Sequence, residues 1–570
     1  MVALDFKKLA SLFDKSGLQY QMDDFSVVVT TTLVDGEQIR IYCTLADAEE
    51  SFAIPRFFLE DDAFIKYRAY PHIDIDKGIC AFNHASSTVD PTMIEEAIVS
   101  VAIKSIDTLN NTIAGNCMDD FLDDLTVFWS TAGTPLKPVR SFIDKWPEVA
   151  TVVYKVILDD DKAGISNGGI VKNYRAYKKI HRFTHYGDLL DASKEIFNLV
   201  SQPALFIPFN EPIVYPIKLD LRTWYELIRD KTDFLADYEA YLKRDDCPVK
   251  PTIICSIPDY QGQRTICAFS QPCLPSNERI ERKDVKLSDV IYGSYGIKRI
   301  KPFNVADVSQ QRLFKRGGID SIQRTKSCLV GCGSLGGHLA TALMDSGVTE
   351  FALIDKDYLT DENIARHVCG FSHVLERKVD AVKDLIESHN PNCSCKTEHG
   401  DANIYLEVQP EKLNQYDVIF ITAADGPLEY HFVQKALTGT ITPKLVIMWI
   451  EPFSLAAHAL VLNVPQDIHE SLFDEWMQYK DRVVSNSADL YISEAGCSAT
   501  YMPYSGLDTQ AFAIEFVRSF FSKFNHGRNK NKNFHFAWIG ALSSAKKYGA
   551  IISEKWQGTP DYTSYIEVIN

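Results

Sequence analysis

Positive charge is the first thing this sequence is short of. Its 570 residues carry 59 Lys and Arg against 76 Asp and Glu, a formal net charge of -17. A chain that grips nucleic acid or an anionic membrane without sequence preference needs a basic stripe, and none appears. The one basic cluster, His526 to Lys532, reads as a solvated loop between a helix and a strand. Long hydrophobic runs are also missing. The longest, Leu445 to Val464, is broken by Glu451, Pro452 and His458, which excludes a bilayer-spanning helix. The opening Met1-Val2-Ala3-Leu4-Asp5-Phe6-Lys7-Lys8 is charged and has no apolar signal core, so a cytoplasmic location is expected. The 13 cysteines contain no CxxC pair, and Cys328/Cys332 and Cys393/Cys395 have the wrong spacing for a zinc knuckle. This usage implies free thiols in a reducing compartment, each to be judged by its neighbours.

What is present is ample apolar material, 46% of the chain, enough for two to four packed cores. The segment 1–130 opens with a helix-like run, Phe6 to Ser16, followed by strand-like runs Ser26 to Leu33, Gln38 to Thr44 and Phe52 to Phe58. A helical spacing over Pro91 to Thr108 comes later. Strands first and helices after describe an α+β unit. Residues 131–300 mix strand-like runs (Val152 to Val156, Thr252 to Cys255) with a helical run from Leu221 to Leu242, and read as an α/β linker domain without a chemical motif. From there to residue 570 the pattern becomes strand-helix-strand: Ser327 to Val330, Ser334 to Ser346, Phe351 to Ile354, Leu375 to Ser388, Asp417 to Ile421 and Lys444 to Ile450. That alternation predicts a Rossmann-like, doubly wound parallel sheet covered on both faces, hence an α/β fold class.

The strongest chemical signal lies between the first of those strands and its helix: Gly331-Cys332-Gly333-Ser334-Leu335-Gly336-Gly337. Glycines allow a tight turn and close backbone approach, and the helix N-terminus offers N–H groups to phosphate. The motif alone points first to an NAD(P)-binding oxidoreductase, and Asp355, at the end of the next strand, suits a ribose hydroxyl in either NAD or ATP. Residues beyond Asp355 separate the two. Asp357, Asn363, Arg366 and Lys378 come in order after it, and a strand from Asp417 ends at Asp425. Two cations beside a phosphate loop serve charge that develops at an α-phosphate, which hydride transfer does not need. An acidic residue at a strand C-terminus is placed for the magnesium that accompanies ATP. Taken singly, Arg366 or Lys378 is an ordinary surface helix charge; their joint order is what carries meaning.

These elements together resemble the adenylation domain of the ubiquitin-activating superfamily, with its bacterial sulfur-carrier and molybdopterin adenylyltransferases. The resemblance spans residues of about 310 to 525. It implies that Asp355 holds the ribose, that Asn363, Arg366 and Lys378 surround the phosphates, and that Asp425 binds Mg2+. It also implies an upstream arginine, for which Arg312 and Arg316 are both available. A downstream cysteine that accepts the activated carrier is implied too, and Cys497 in Gly496-Cys497-Ser498 stands at that place. Cys332, inside the loop, would meet the nucleotide through its backbone, and Cys328 and Cys369 read as packing cysteines. Pro71-His72-Ile73-Asp74-Ile75-Asp76-Lys77-Gly78-Ile79-Cys80 resembles the active stretch of ubiquitin-conjugating enzymes, which makes Cys80 a second acceptor thiol. That family's oxyanion-stabilising asparagine is missing here. The competing reading is a buried strand cysteine between Ile79 and Ala81, with His72 a structural histidine. The two halves in tandem are similar to fused activating–conjugating proteins of bacterial CBASS anti-phage operons. That resemblance implies a homodimer acting on the C-terminus of a cGAS-like nucleotidyltransferase; a ubiquitin-like protein is the alternative partner.

Overall fold

The computed structural model describes residues 4–45, 55–82 save 69 and 75, 89–117, 120, 125, 129, 139–158 save 142 and 144, 182–184, 199–213, 218–259, 262–273, 287–307, 309–319, 323–390, 392–465, 472–474, 479–494, 500–524, 529 and 531–569. It divides into two compact units, Met1–Ser309 and Gln310–Asn570. No helix among the described residues is long and apolar enough to cross a membrane.

The first unit opens on the helix Phe6–Ser16, capped by the Asp5 carboxylate and ended by Gly17 in the left-handed conformation. An antiparallel meander follows: Gln19–Met22, Ser26–Thr32, Gln38–Thr44 and Phe58–Leu59. Val27, Val29, Ile39, Ile41 and Cys43 alternate inward and meet Leu9, Phe13, Ile98 and Ala102 in one core. The long helix Ile94–Ile113 supplies the last two. Further along, seven strands between Val139 and Asp307 close into a barrel. Trp129, Trp224 and Phe269 pack among the residues that share its second core. The helical run Leu221 to Leu242 is two helices, Leu221–Lys231 and Leu235–Leu242. Thr232 parts them: its backbone is extended, and its hydroxyl donates to Ile228 O while accepting Phe234 N–H.

In the second unit eight strands form one sheet in the order Ser394–His399, Val348–Asp355, Gln323–Val330, Val418–Ile421, Lys444–Ile450, Ala456–Leu462, Asn533–Ile539, Thr563–Ile569. The first five are parallel and the last three antiparallel. The expectation of a parallel sheet therefore holds for five strands only. Between Ile450 and Ala456 the chain has too few residues for a crossover helix, so it turns back through Phe453 and Ser454, both at positive φ. Both faces are covered, as strand residues of alternate parity require: Leu329, Phe420 and Val446 pack under Leu339, Val382 and Phe516, while Val330, Ile421 and Leu445 pack under Leu406, Phe432 and Val433.

Candidate functional site

The strand order reverses between Gln323–Val330 and Val418–Ile421, and at such a switch point the loops leaving the two strands diverge to open a crevice. The glycine loop leaves the first strand and Thr422 to Asp425 leave the second. Thr422 ties the loops together, its hydroxyl donating to Gly331 O at 2.8 Å. Gly331 lies at φ 97°, and a Cβ there would fall 2.9 Å from Ala423 N. A Cβ on Gly336 would fall 2.0 Å from Gly331 O, so the helix Ser334–Asp345 starts flush against the loop. Gly333 differs. A Cβ there meets no protein atom within 4 Å, so no packing demands a glycine at this position. What its absence leaves open is the space before the helix N-terminus, which is where a phosphate would be received.

Asp355 ends its strand with both carboxylate oxygens engaged: Oδ2 accepts Cys332 N–H at 2.6 Å and Oδ1 accepts Asp357 N–H at 2.8 Å. Each oxygen keeps a second lone-pair direction for a ligand hydroxyl. Asp357 turns to Lys378, whose Nζ lies 2.8 Å from its Oδ2; the Lys378 side chain is only 12% exposed. Asn363 closes a short 3₁₀ turn, its Oδ1 accepting Thr360 N–H at 3.2 Å. The next turn brings Arg366, held by its backbone: its carbonyl oxygen accepts the Ser334 hydroxyl at 2.7 Å and His338 Nε2–H at 3.1 Å. Its guanidinium lies over the Tyr504 ring at 4.9 Å.

His367 is the clip that sequence reasoning passed over. Its Nδ1 accepts Cys369 N–H at 3.0 Å and so carries no hydrogen; Nε2 therefore does, and donates to Cys332 O at 2.8 Å. Burial holds its pKa below the usual value, which keeps this neutral tautomer in place. Glycine loop and arginine turn are thus fastened at two points, one through His367 and one through Ser334. The only hint in the sequence was a histidine directly after Arg366 and before the apolar Val368.

Asp425 is exposed and caps the helix Gly426–Leu437, accepting Leu428 N–H at 3.1 Å. One turn on, Glu429 has its Oε1 buried with no hydrogen-bond partner. Burial, with the Asp425 charge adding to it, pushes its carboxyl up to about 7. Glu429 lines a cavity of 180 Å³ with Trp449, Glu451, Tyr479, Arg482 and Tyr491. Glu451, 4% exposed, accepts Val483 N–H at 2.9 Å, Val484 N–H at 2.6 Å and His458 Nε2–H at 2.9 Å.

Cys328, Cys332 and Cys369 are buried, and burial drives all three thiols up, away from reactivity. Cys497 lies outside the described residues. Arg312 and Arg316 sit on the helix Gln310–Arg316. Cys80 belongs to the first unit, where it is half-buried.

Residues 308–439 match the model of the ThiF family. The chain contains a ThiF-family domain. It is similar to the ATP-dependent ubiquitin transferase-like protein Cap2 of Pseudomonas aeruginosa, with 24% identity over 228 residues, 38% of this chain and 40% of that protein. The Cap2 of Enterobacter hormaechei is 32% identical over 111 residues, 19% of this chain and 18% of its own. The tRNA threonylcarbamoyladenosine dehydratase of Bacillus subtilis is 34% identical over 127 residues, 22% of this chain and 49% of that protein. The chain thus spans less than half the length of each of these relatives. Among solved structures, E. coli MccB with AMPCPP and MccA overlaps 43% of this chain and 64% of its own at 14% identity, with a TM-score of 0.28.

Proposed function

We propose that this chain uses ATP to adenylate the C-terminal carboxylate of a partner polypeptide and then carries that partner as a cysteine thioester. The observation that carries the reading is the pairing of an open glycine cradle with fixed cations on one rim: Gly331, Gly333 and Gly336 beside Lys378 and a backbone-pinned Arg366. Hydride transfer develops no charge at a phosphate for that second group to offset.

The geometry supports a role for each residue. The backbone of Gly331 to Gly337 and the helix beginning at Ser334 receive the phosphates. Asp355 accepts from the ribose. Asp357 holds Lys378, and Lys378 and Arg366 offset the charge that gathers as the carboxylate oxygen attacks the α-phosphorus and pyrophosphate departs. Asn363 braces the turn that presents Arg366. An exposed carboxylate in the loop beyond a strand's C-terminal end, where the strand itself stops at Ile421, fits Mg2+, which keeps several waters and needs few protein ligands, and Asp425 would hold it. Magnesium there would supply Lewis acidity toward the phosphate oxygens. The resulting acyl-adenylate is then open to the thiolate of Cys497, which displaces AMP, and Cys80 takes the acyl group by thioester exchange.

The name of the Cap2 relatives, ATP-dependent ubiquitin transferase-like protein, supports a ubiquitin-like transfer to or from a protein. The resemblance to fused activating–conjugating proteins extends the proposal to the C-terminus of a cGAS-like nucleotidyltransferase or a ubiquitin-like protein as the partner, with a homodimer as the working form. The dehydratase relative raises tRNA as a substrate. A net charge of -17 and the lack of a basic stripe speak against it, since RNA affinity rests on phosphate neutralisation.

ATP–pyrophosphate exchange tests the reading, with the full chain and the proteins encoded beside its gene. Exchange dependent on one of those proteins, and lowered at least about a hundredfold by Asp425→Ala and by Lys378→Ala, is the expected result. Exchange unaffected by both substitutions refutes it. Intact-mass analysis of Cys497→Ala and Cys80→Ala then shows which thiol carries the adduct.

A further inference from the structure

The register around Cys80 supplies something its resemblance to conjugating enzymes leaves out. Antiparallel bridges set Phe58 opposite Gly78 and Ile73 opposite Ile79, and backbone bonds join Ile79 N–H to Phe57 O at 2.9 Å and Cys80 N–H to His72 O at 2.8 Å. Carrying the first bridge two residues further puts Arg56 directly across from Cys80. Residues directly opposite on paired strands share a face, so the two side chains meet. The Arg56 guanidinium nitrogen Nη2 lies 3.8 Å from Cys80 Sγ.

That guanidinium is held, not loose. Its Nη2 also donates to Asp74 Oδ2, and Asp74 Oδ1 is anchored in turn by Asp76 N–H and Gly78 N–H, both at 2.8 Å. The Phe58 ring lies beneath at 5.6 Å. Gly78 makes the room, because a Cβ there would fall 2.5 Å from Arg56 Cζ and from Nε. Arg56 Nε is buried and has no hydrogen-bond partner. A buried donor without an acceptor is costly unless something arrives to use it.

We propose that Arg56 is the oxyanion donor of the Cys80 site, in the place the missing asparagine would otherwise fill. The inference rests on the reading of Cys80 as an acyl acceptor. In the step it serves, Cys80 sulfur adds to a thioester carbonyl carbon and the carbonyl π pair moves onto oxygen. Arg56 N–H groups receive that charge. The C–S bond to the departing carrier thiol then breaks, the oxygen pair returns to the carbonyl, and that leaving thiolate takes up a proton equal to the one Cys80 gave to solvent. In the onward step an amine adds to the same carbon, Cys80 leaves as thiolate, and the proton lost by the amine balances it. The same donor serves both tetrahedral species.

The test compares two electrophiles on the full chain. One is the N-acetylglycyl thioester of 2-mercaptoethanesulfonate, whose transfer passes through an oxyanion. The other is iodoacetamide, whose displacement at carbon does not. Modification of Cys80 is followed by peptide mass for wild type, Arg56→Ala and Arg56→Lys. Arg56→Ala is expected to slow acyl transfer about a hundredfold while changing alkylation less than about threefold, with Arg56→Lys in between. Acyl transfer at the wild-type rate in Arg56→Ala overturns the inference, and so does a parallel fall in both reactions, which marks a structural role. Both of those outcomes leave the Cys80 reading standing. Transfer to wild-type Cys80 no faster than to glutathione sinks that reading, and the inference with it.

Discussion

Glu429→Gln isolates a single titration beside the candidate metal ligand. In the folded chain burial raises this carboxyl from 4.5 to about 7, and the neighbouring Asp425 charge adds to the effect. At about 1.4 kcal/mol for each factor of ten in proton affinity, the ceiling on the coupled stability is about 3 kcal/mol. The cavity beside Glu429 opens to solvent, which screens the effect and lowers the figure to about 1.5 kcal/mol. The sign is set by the proton count. Between pH 4.5 and about 7 the folded chain keeps a proton that the unfolded chain has released, so stability falls as pH rises through that window. Glutamine keeps the shape and the neutral state at every pH. The variant should therefore match the wild type near pH 4.5 and exceed it by about 1.5 kcal/mol at pH 8. Guanidinium unfolding of both full-length proteins, read by tryptophan fluorescence because Trp449 lines the same cavity, gives the difference at each pH. A difference that does not vary between pH 5 and 8 refutes the reasoning.

Other consequences are as direct. Glu451→Ala strands two backbone N–H groups and a buried histidine, and should cost about 4 kcal/mol in the same unfolding assay; Glu451→Gln, which loses one acceptor only, should cost about half as much. Equal losses in the two variants would show that the hydrogen bonds are not the cause. Gly336→Ala forces a Cβ onto Gly331 O and should shift the loop enough to abolish nucleotide binding, as measured by calorimetric titration with a non-hydrolysable ATP analogue. Retained affinity would mean the helix can slide away from the loop.

Local signals were legible in the sequence and distant ones were not. The helix Phe6–Ser16 and the strands Gln38–Thr44 and Lys444–Ile450 have the limits their periodicity predicts, because a cap, a turn or a polar break lies within a few residues of each end. The glycine loop declared itself for the same reason. Thr232 escaped notice because an amphipathic stripe runs on through it, and its hydroxyl's competition with the helix ladder has no periodic trace. The antiparallel half of the second sheet depends on a five-residue connection whose backbone reverses at two non-glycine residues. Barrel closure joins Lys301–Asp307 to Val139–Ser141, strands some 160 positions apart in sequence. At the site, the ordered acidic and basic residues were legible as a string. Glu429, Glu451 and Arg56 were not, since each acquires its meaning from burial or from a partner on another segment.

The return of the chain at Ile450 to Ala456 has a bearing on how such a protein can change over time. The parallel strands all finish at one rim, and the reversal lets the next strand begin there as well. Glu451, Pro452, Arg482, Tyr491 and Met502, which line the cavity near that rim, all come from connections and not from strand interiors. Residues of that kind can be exchanged or lengthened without disturbing the ladder beneath them. A lineage of these chains is thus free to drift in what it accommodates at the rim while the phosphate end, locked by Thr422, His367 and Gly336, stays as it is.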